Sequence, residues 1–138
     1  MNMTESARQA FLADLHVGLL GVERADGPPL VVPVWYSYRP GGVVTILMSA
    51  TSLKGRLLAA AGRASLCVQD ESVPYKYVSV DGPVRIERLD HDSQPEVEQM
   101  AIRYLGEEMG RQYADAEIAD DEIKVILSPE RWYSVDYS

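Results

Sequence analysis

Runs of β-forming residues recur along this chain, and several alternate between apolar and polar positions as half-buried strands do. The clearest lies between residues 76 and 87, where Val78, Val80, Val84 and Ile86 alternate with more polar side chains, so one face of this strand is predicted to be buried. Turn residues such as Gly27-Pro28 bound the other runs. The predicted strands span residues 17–23, 30–38, 43–48, 65–69, 76–87 and 123–137, the last being one strand or a hairpin bent at Ser128-Pro129.

Two longer helices are predicted from capping residues and helical spacing. Thr4 is expected to cap the first helix, in which Ala7, Phe11 and Leu15 recur at a spacing of four and form a buried stripe. A capping box of Ser93 and Glu96 begins the other. Residues 106–121 contain glycine and many acidic residues, which indicates a loop or a broken helix. The apolar face of the helix that the capping box begins comprises Val97, Met100, Ala101, Tyr104 and Leu105.

A short helix is predicted over residues 53–61. Thr51 or Ser52 is the expected N-cap, and Gly62 follows the last turn, where a left-handed residue ends many helices. The predicted buried stripe of this helix comprises Leu53, Leu57, Leu58 and Ala61.

Strands outnumber helices and lack the regular β-α-β alternation of a Rossmann sheet, so a mostly antiparallel β-barrel with helical plugs fits better. Pro33 lies within the second predicted strand and cannot donate a ladder hydrogen bond, which indicates an edge strand or a bulge. Gly82-Pro83 interrupts the fifth strand and predicts a bulge or a bend at a barrel corner. We therefore expect one domain over residues 1–138, mostly β with helices.

The chain carries a formal net charge of −8, and the acidic residues are concentrated in one segment. Residues 90–122 hold eleven acidic and two basic residues, so the rest of the chain is close to neutral. This balance argues against nucleic-acid binding through a basic surface. The acidic segment is most simply a solvated helix face and loop, and the alternative is a surface that docks a basic partner.

Cysteine, histidine and hydropathy exclude several other classes of protein. Cys67 is the one cysteine, so there is no internal disulfide, and with His16 and His91 it cannot supply a zinc tetrad. No metal site is therefore predicted. No run approaches the roughly 20 apolar residues of a membrane-spanning helix, and no signal segment is present, so we expect a cytoplasmic protein.

One segment, residues 49–56, carries candidate binding chemistry. The start of a helix bears free N–H groups and a partial positive charge, so cations in the first turn are unfavourable unless an anion is bound there. Lys54 and Arg56 are such cations. We interpret the segment as a phosphate site in which three hydroxyl groups complete the cage, those of Ser49, Thr51 and Ser52. The alternative is a surface helix with solvated cations.

Together with this segment, the motifs Pro33-Val-Trp-Tyr36, Gly62-Arg-Ala-Ser-Leu-Cys-Val68 and Val80-Asp-Gly-Pro-Val84, in their order and separations, resemble the pyridoxamine 5'-phosphate oxidase-like flavin-binding split barrels. The resemblance covers residues 5–137. In that family a Lys-x-Arg-Asn-Leu segment holds the phosphate of FMN or of the deazaflavin coenzyme F420. Lys54 and Arg56 match its cations, and Leu57 stands where asparagine is common.

The resemblance implies a homodimer of six-stranded antiparallel split β-barrels that encloses two cofactors between the protomers. Pro33 and Trp35 would lie near the cofactor ring, and Tyr77 or Trp132 would contact it from the other subunit. The function it implies is an oxidoreductase that uses coenzyme F420, or failing that FMN, to transfer a hydride to a small conjugated substrate. The alternative is a noncatalytic flavin, deazaflavin or haem carrier or sensor of the same fold.

Overall fold

The computed structural model of the chain describes residues 2–116 and 118–138. Four helices occur in it: α1 Glu5–Ala13, α2 Leu53–Ala61, α3 Gln94–Leu105 and α4 Glu107–Ala114. The strands are β1 Gly18–Val22, β2 Leu30–Val34, β3 Ser37–Tyr38, β4 Val44–Ser49, β5 Arg63–Asp70, β6 Lys76–Arg88, β7 Glu122–Leu127 and β8 Arg131–Asp136.

The strands form one antiparallel sheet that curls on itself. Its order is β2-β1-β5-β6-β7-β4-β3, and β8 pairs with β6. The edge strands β2 and β3 are joined by only two residues, Trp35 and Tyr36, so the two edges of the sheet must lie side by side. This is a split barrel, and the predicted fold class is confirmed. The six predicted strands become eight because 30–38 breaks at Trp35-Tyr36 and 123–137 breaks at 128–130.

The barrel interior is filled by the inward-facing side chains of alternate strand positions. On β6, Val78 and Val80 are fully buried while Tyr77 and Ser79 face outward, as the alternation predicts. Pro33 lies on the edge strand β2, which agrees with its inability to donate a ladder hydrogen bond. The fully buried core contains Tyr36, Leu12, Leu20, Ile46, Leu58, Leu66, Leu127, Val22, Val44, Val68, Val78 and Val80.

The long strand β6 passes from one half of the barrel to the other at Gly82-Pro83, where a bend was expected. Before this point β6 pairs with β5 and β8, and after it β6 pairs with β7. The Ser128 N–H donates to the Pro83 carbonyl at 3.0 Å, and the Glu130 N–H donates to the Asp81 carbonyl at 2.9 Å. The segment 123–137 is therefore no hairpin, because β7 and β8 each pair with β6 and not with each other.

The predicted caps of α1 and α2 are confirmed, but parts of their buried stripes are wrong. The Thr4 Oγ1 accepts from the Ala7 N–H at 3.1 Å. In α1 the buried residue is Leu12, whereas Ala7 and Leu15 are exposed, because the helix ends at Ala13 and a different face meets the barrel.

Helix α2 spans the predicted residues 53–61, with the Ser52 Oγ accepting from the Gly55 N–H at 3.1 Å and Gly62 at φ 69°. In its stripe Leu58 is buried and Leu57 is half-buried. Leu53 is wrong as a buried residue, since it is 43% exposed in the first turn of the helix.

Helices α3 and α4 pack against each other, and Glu96 of α3 pairs with Lys124 of β7 at 3.1 Å, which places α3 over the outer face of that strand. The predicted capping box of Ser93 and Glu96 is wrong: the Asp90 carboxylate and Ser93 form a capping box on a 3₁₀ turn at His91–Ser93 that precedes α3. The acidic segment 106–121 is partly the regular helix α4, and its residue Glu117 lies outside the described residues. A methyl group at Gly110 would meet the Ile102 backbone at 2.6 Å, so the two helices are in close contact.

Within the described residues, every helix is too short or too polar to cross a membrane.

Candidate functional site

The end of β4 and the start of α2 form the predicted anion site. The Ser52 hydroxyl is already used within the chain. Its Oγ accepts from the Gly55 N–H and donates to the Ser49 carbonyl at 2.7 Å. A Cβ at Gly55 would overlap the Ser49 carbonyl oxygen. Glycine is therefore needed there for the close approach of the chain's own backbone.

The hydroxyls of Ser49 and Thr51 contact a carboxylate of the same chain. Both donate to Oδ2 of Asp121, Thr51 at 3.0 Å. The Asp121 carbonyl accepts from the Ala50 N–H at 2.7 Å, so backbone and side chain of Asp121 are both held against this turn. The two hydrogen bonds hold the pKa of the Asp121 carboxyl below its ordinary value.

Glu122, the neighbour of Asp121, pairs with Ser49 across the ladder. Burial, followed by the charge of Asp121, raises the pKa of Glu122, and the positive charge of Lys54 opposes that rise. Lys54 is thus close enough to Glu122 to act on it electrostatically.

Two cations and two backbone donors at the start of α2 are available to an anion. Among the described residues no carboxylate lies within 4.0 Å of the Lys54 ammonium or the Arg56 guanidinium group. The same part of the chain supplies no acceptor for the N–H groups of Leu53 and Lys54. This arrangement can bind a phosphate oxygen by charge and by hydrogen bonds.

An apolar pocket of about 390 Å³ opens on the same face of β4. Leu47 lies in its wall, and Leu47 and Ser49 share the outward face of the strand at a separation of roughly 7 Å. Met100 of α3 and Tyr113 of α4 line the opposite side, and Glu122 lies in the lining too. Because Glu122 pairs with Ser49 across the ladder, the pocket lies beside the candidate anion site.

Trp35, at the break between β2 and β3, lies in the wall of this pocket. Its indole stacks on the Tyr104 ring, with centroids 4.9 Å apart and planes 6° apart, and meets Tyr113 at 5.7 Å. The Tyr104 hydroxyl accepts from the Tyr36 N–H at 2.9 Å and lies within donating distance of the His16 carbonyl at 2.7 Å. Tyr104 thus holds in place the backbone segment that contains Trp35.

The remaining predicted site residues lie in other parts of the barrel. Pro33 is on β2, two residues before Trp35, and Tyr77 is on the outer face of β6. Trp132 packs against the core of its own barrel, below the Arg8 guanidinium at 4.9 Å and edge-on to Tyr38. The structure brings Ser49, Thr51, Ser52 and Lys54 to the turn between β4 and α2, with Arg56 two residues further along the helix, and it places Trp35 in the wall of the neighbouring pocket. The assignment of all nine residues to a cofactor stays a prediction.

The contacts of His16 and Cys67 are those of structural residues. The His16 Nε2 lies 2.9 Å from the Phe11 carbonyl oxygen, and its ring packs on Phe11. Cys67 is half-buried on the outward face of β5, and burial raises the pKa of its thiol.

Sequence reasoning missed Asp121, Glu122, Leu47 and Tyr104 as site residues. The acidic run of 120–122 directly before an apolar strand was a signal, but it was assigned to a solvated surface. Contact between Asp121 and Ser49 depends on the pairing of β4 with β7, and residue spacing does not reveal that pairing.

Comparisons with known proteins agree with this architecture. The family model described as pyridoxamine 5'-phosphate oxidase matches residues 4–136. No curated protein sequence matches the chain significantly.

Three solved structures illustrate the structural likeness. The conserved hypothetical protein Rv2991 from Mycobacterium tuberculosis is 22% identical, with a TM-score of 0.76 over 98% of this chain and 86% of that one. A structure described as an F420 reductase is 23% identical, with a TM-score of 0.72 over 91% and 94%. A heme-binding protein from Mycobacterium smegmatis is 18% identical, with a TM-score of 0.63 over 99% and 60%. At these identities the likeness is one of fold.

Proposed function

The chain belongs to the pyridoxamine 5'-phosphate oxidase family, and we propose that it is an oxidoreductase that binds coenzyme F420 or FMN and reduces a small conjugated molecule. The observation that carries the proposal is the apolar pocket of about 390 Å³ beside two cations, Lys54 and Arg56, that have no carboxylate within 4.0 Å in the described part of the chain. The neighbour described as an F420 reductase supports the same class of cofactor.

The phosphate would be held by the start of α2. Lys54 and Arg56 supply positive charge, and the N–H groups of Leu53 and Lys54 supply directed donors. Ser52 contributes by capping the helix and so orienting these N–H groups. Ser49 and Thr51 do not fit the role predicted for them in this geometry, because their hydroxyls donate to Asp121.

The pocket would hold the ring system. Trp35, Leu47 and Met100 present apolar surface that excludes water from one side of a planar ring. A bound flavin or deazaflavin supplies the hydride chemistry itself, so the protein needs no dedicated catalytic acid or base. The task of these side chains is therefore to bind, orient and desolvate.

We also propose that the protein acts as a homodimer through the outer face of β1, β2, β5, β6 and β8. The ladder registers align one row across this face, consisting of Pro33, Leu19, Cys67, Ser79 and Tyr133. Leu19, Val31 and Tyr133 are 39%, 61% and 53% exposed in the single chain. The row that contains Val31 also holds Ser65 and the ion pair of Asp81 with Arg131, so the apolar row lies beside a polar one. An apolar centre beside polar groups is typical of a protein–protein interface.

Cofactor binding to Lys54 variants tests the proposal. Each cofactor is titrated into the wild type and into Lys54→Ala while cofactor fluorescence or absorbance is followed. Loss of a charge-assisted hydrogen bond should raise the Kd by roughly 10- to 100-fold, which corresponds to about 1.5 to 3 kcal/mol. Lys76→Ala on β6 removes the same charge outside the site and should leave the Kd unchanged. Wild-type protein that binds neither cofactor more tightly than about 100 μM would refute the function.

A second candidate, a noncatalytic carrier or sensor, is favoured by the likeness to a heme-binding protein. Hemin added to the purified chain should then give a shifted Soret band, whereas an oxidoreductase should turn over when reduced cofactor is mixed with enones or quinones.

The docking of a basic partner by the acidic segment 90–122 stays a prediction. Neutral substitutions of Glu107, Glu108, Asp120 and Asp121 should abolish that pairing.

A further inference from the structure

Asp121 occupies the position in which the predicted phosphate site would place an anion. The hydroxyls of Ser49 and Thr51 converge on a single oxygen of its carboxylate, and they also contact each other at 2.9 Å. The Asp121 carboxylate is attached to a backbone that is itself held by the Ala50 N–H at 2.7 Å.

This arrangement changes which hydrogen-bonding groups remain for a ligand. A serine or threonine hydroxyl has one proton to donate, and the contacts with Asp121 and between the two hydroxyls use both protons. A phosphate oxygen near Ser49 and Thr51 therefore meets lone pairs and a carboxylate. The hydrogen-bond donors that remain available to the phosphate are Lys54, Arg56 and the N–H groups of α2.

The charges around the site also make a highly charged anion less favourable as a ligand. Lys54 and Arg56 contribute two positive charges and Asp121 one negative charge, since hydrogen bonds favour the ionised form of Asp121. The neighbouring Glu122 carboxyl also acts on Lys54, so any negative charge it carries lowers the positive charge available to a ligand further. A phosphomonoester carries between about −1.5 and −2 at neutral pH, because its second pKa is about 6. A phosphodiester has no such ionisation and carries −1. Each further negative charge on the ligand is repelled by Asp121 at short range.

We propose that Asp121 is a specificity-determining residue that disfavours the phosphomonoester of FMN and selects a phosphodiester, as found in coenzyme F420. The inference rests on the proposed function, because it concerns the same site. It adds a residue that discriminates through repulsion, and selectivity by an unfavourable contact with the wrong ligand is a general device of binding sites.

The test compares ligands that differ in their phosphate. Riboflavin and FMN share one ring system, and FMN adds the phosphomonoester, so the ratio of their Kd values isolates the phosphate. We expect a ratio within about threefold in the wild type, and coenzyme F420 to bind more tightly than FMN. In Asp121→Asn the FMN Kd should fall about tenfold, as expected for removal of one nearby charge, while the riboflavin Kd stays constant.

Asp120→Asn is the matched control. It removes the same charge one residue away, and Asp120 is exposed and makes no side-chain hydrogen bond to the two hydroxyls. Its ligand affinities should equal those of the wild type. Thermal melting accompanies each variant, and Asp121→Ser provides a second removal of the charge if Asp121→Asn lowers the Tm.

The outcomes separate the inference from the function. If the protein binds cofactor but Asp121→Asn and Asp121→Ser leave the ratio of the FMN and F420 Kd values unchanged, the role of Asp121 is overturned. The proposed function would still stand. An equal gain for riboflavin and FMN would also overturn it, because the phosphate would not be the group affected. Failure of wild type and variants to bind any of the three ligands would refute the proposed function, and the inference with it.

Discussion

The Tyr104 hydroxyl makes the hydrogen bonds to the Tyr36 backbone that a neighbouring strand would otherwise make. At the break between β2 and β3 the backbone leaves one ladder before it joins the next, and buried polar groups there need partners. Tyr104 accepts from the Tyr36 N–H at 2.9 Å, and its single proton is shared between the carbonyls of His16 at 2.7 Å and Tyr36 at 3.0 Å. The same ring stacks on Trp35, so the residue links the barrel seam to the pocket wall.

Replacement of Tyr104 by phenylalanine keeps the stacking ring and removes the hydroxyl. The Tyr36 N–H then lacks a partner, and we expect the free energy of unfolding to fall by about 1 to 3 kcal/mol. Urea denaturation measures this change. Tyr113→Phe is the control, because the Tyr113 ring also touches Trp35 but its exposed hydroxyl makes no hydrogen bond within the described residues. Equal stability of the two variants would contradict the role of the Tyr104 hydroxyl.

At the scale of elements, β6 is the strand that joins the two halves of the barrel. It pairs with β5 and β8 before Gly82 and with β7 after it, and the connection between β7 and β8 passes directly over the glycine. A Cβ at Gly82 would overlap the Ser128 carbonyl, and backbone atoms on both sides of the contact cannot yield as a flexible side chain would. The bend therefore depends on the absence of a side chain.

Gly82→Ala should consequently destabilise the barrel. Overpacking usually costs about 1 to 3 kcal/mol, and we expect the upper part of this range because the clash is with backbone. Gly21→Ala on β1 is the matched control, since a Cβ there would meet its nearest neighbour at 3.8 Å and should be tolerated. The measurement is the midpoint of chemical denaturation, and a Gly82→Ala midpoint equal to that of Gly21→Ala would rule out the close approach.

At the scale of the whole molecule, the outer face around Leu19 is apolar while the chain as a whole is acidic. Its central row combines Pro33, Leu19, Cys67 and Tyr133 with the small polar Ser79. A protein with a net charge of −8 repels its own copies at long range, so association requires a surface with apolar contacts and few charges. The row around Leu19 supplies apolar contacts, and the charges of Asp81 and Arg131 in the next row are paired with each other at 2.8 Å.

A lysine at position 19 should therefore dissociate the proposed dimer. Leu19→Lys buries a charge at the centre of the interface, and we expect monomers at roughly 10 μM protein, where the wild type sediments as a dimer. Val43→Lys is the control, because Val43 is similarly exposed but lies next to β4, away from this face. Analytical ultracentrifugation gives the masses, and a wild type that sediments as a monomer would count against the homodimer.

The sequence was sufficient where structure depends on neighbours along the chain. Helix α2 has the predicted bounds because Ser52 and Gly62 act within one turn of its ends. The burial of Val78 and Val80 follows from the alternation of a strand, which has a period of two wherever the strand lies. The mostly β architecture was predictable for the same reason.

Only the tertiary structure decided the partners across the barrel. The pairing of Ser49 with Glu122 brings Asp121 to the predicted anion site from 72 residues along the chain. The closure of the sheet also splits residues 30–38 at Trp35-Tyr36 and places Trp35 against Tyr104. Strand register and sheet closure are collective properties of all eight strands, so local spacing specifies the cations of the site but not the carboxylate that binds its hydroxyls.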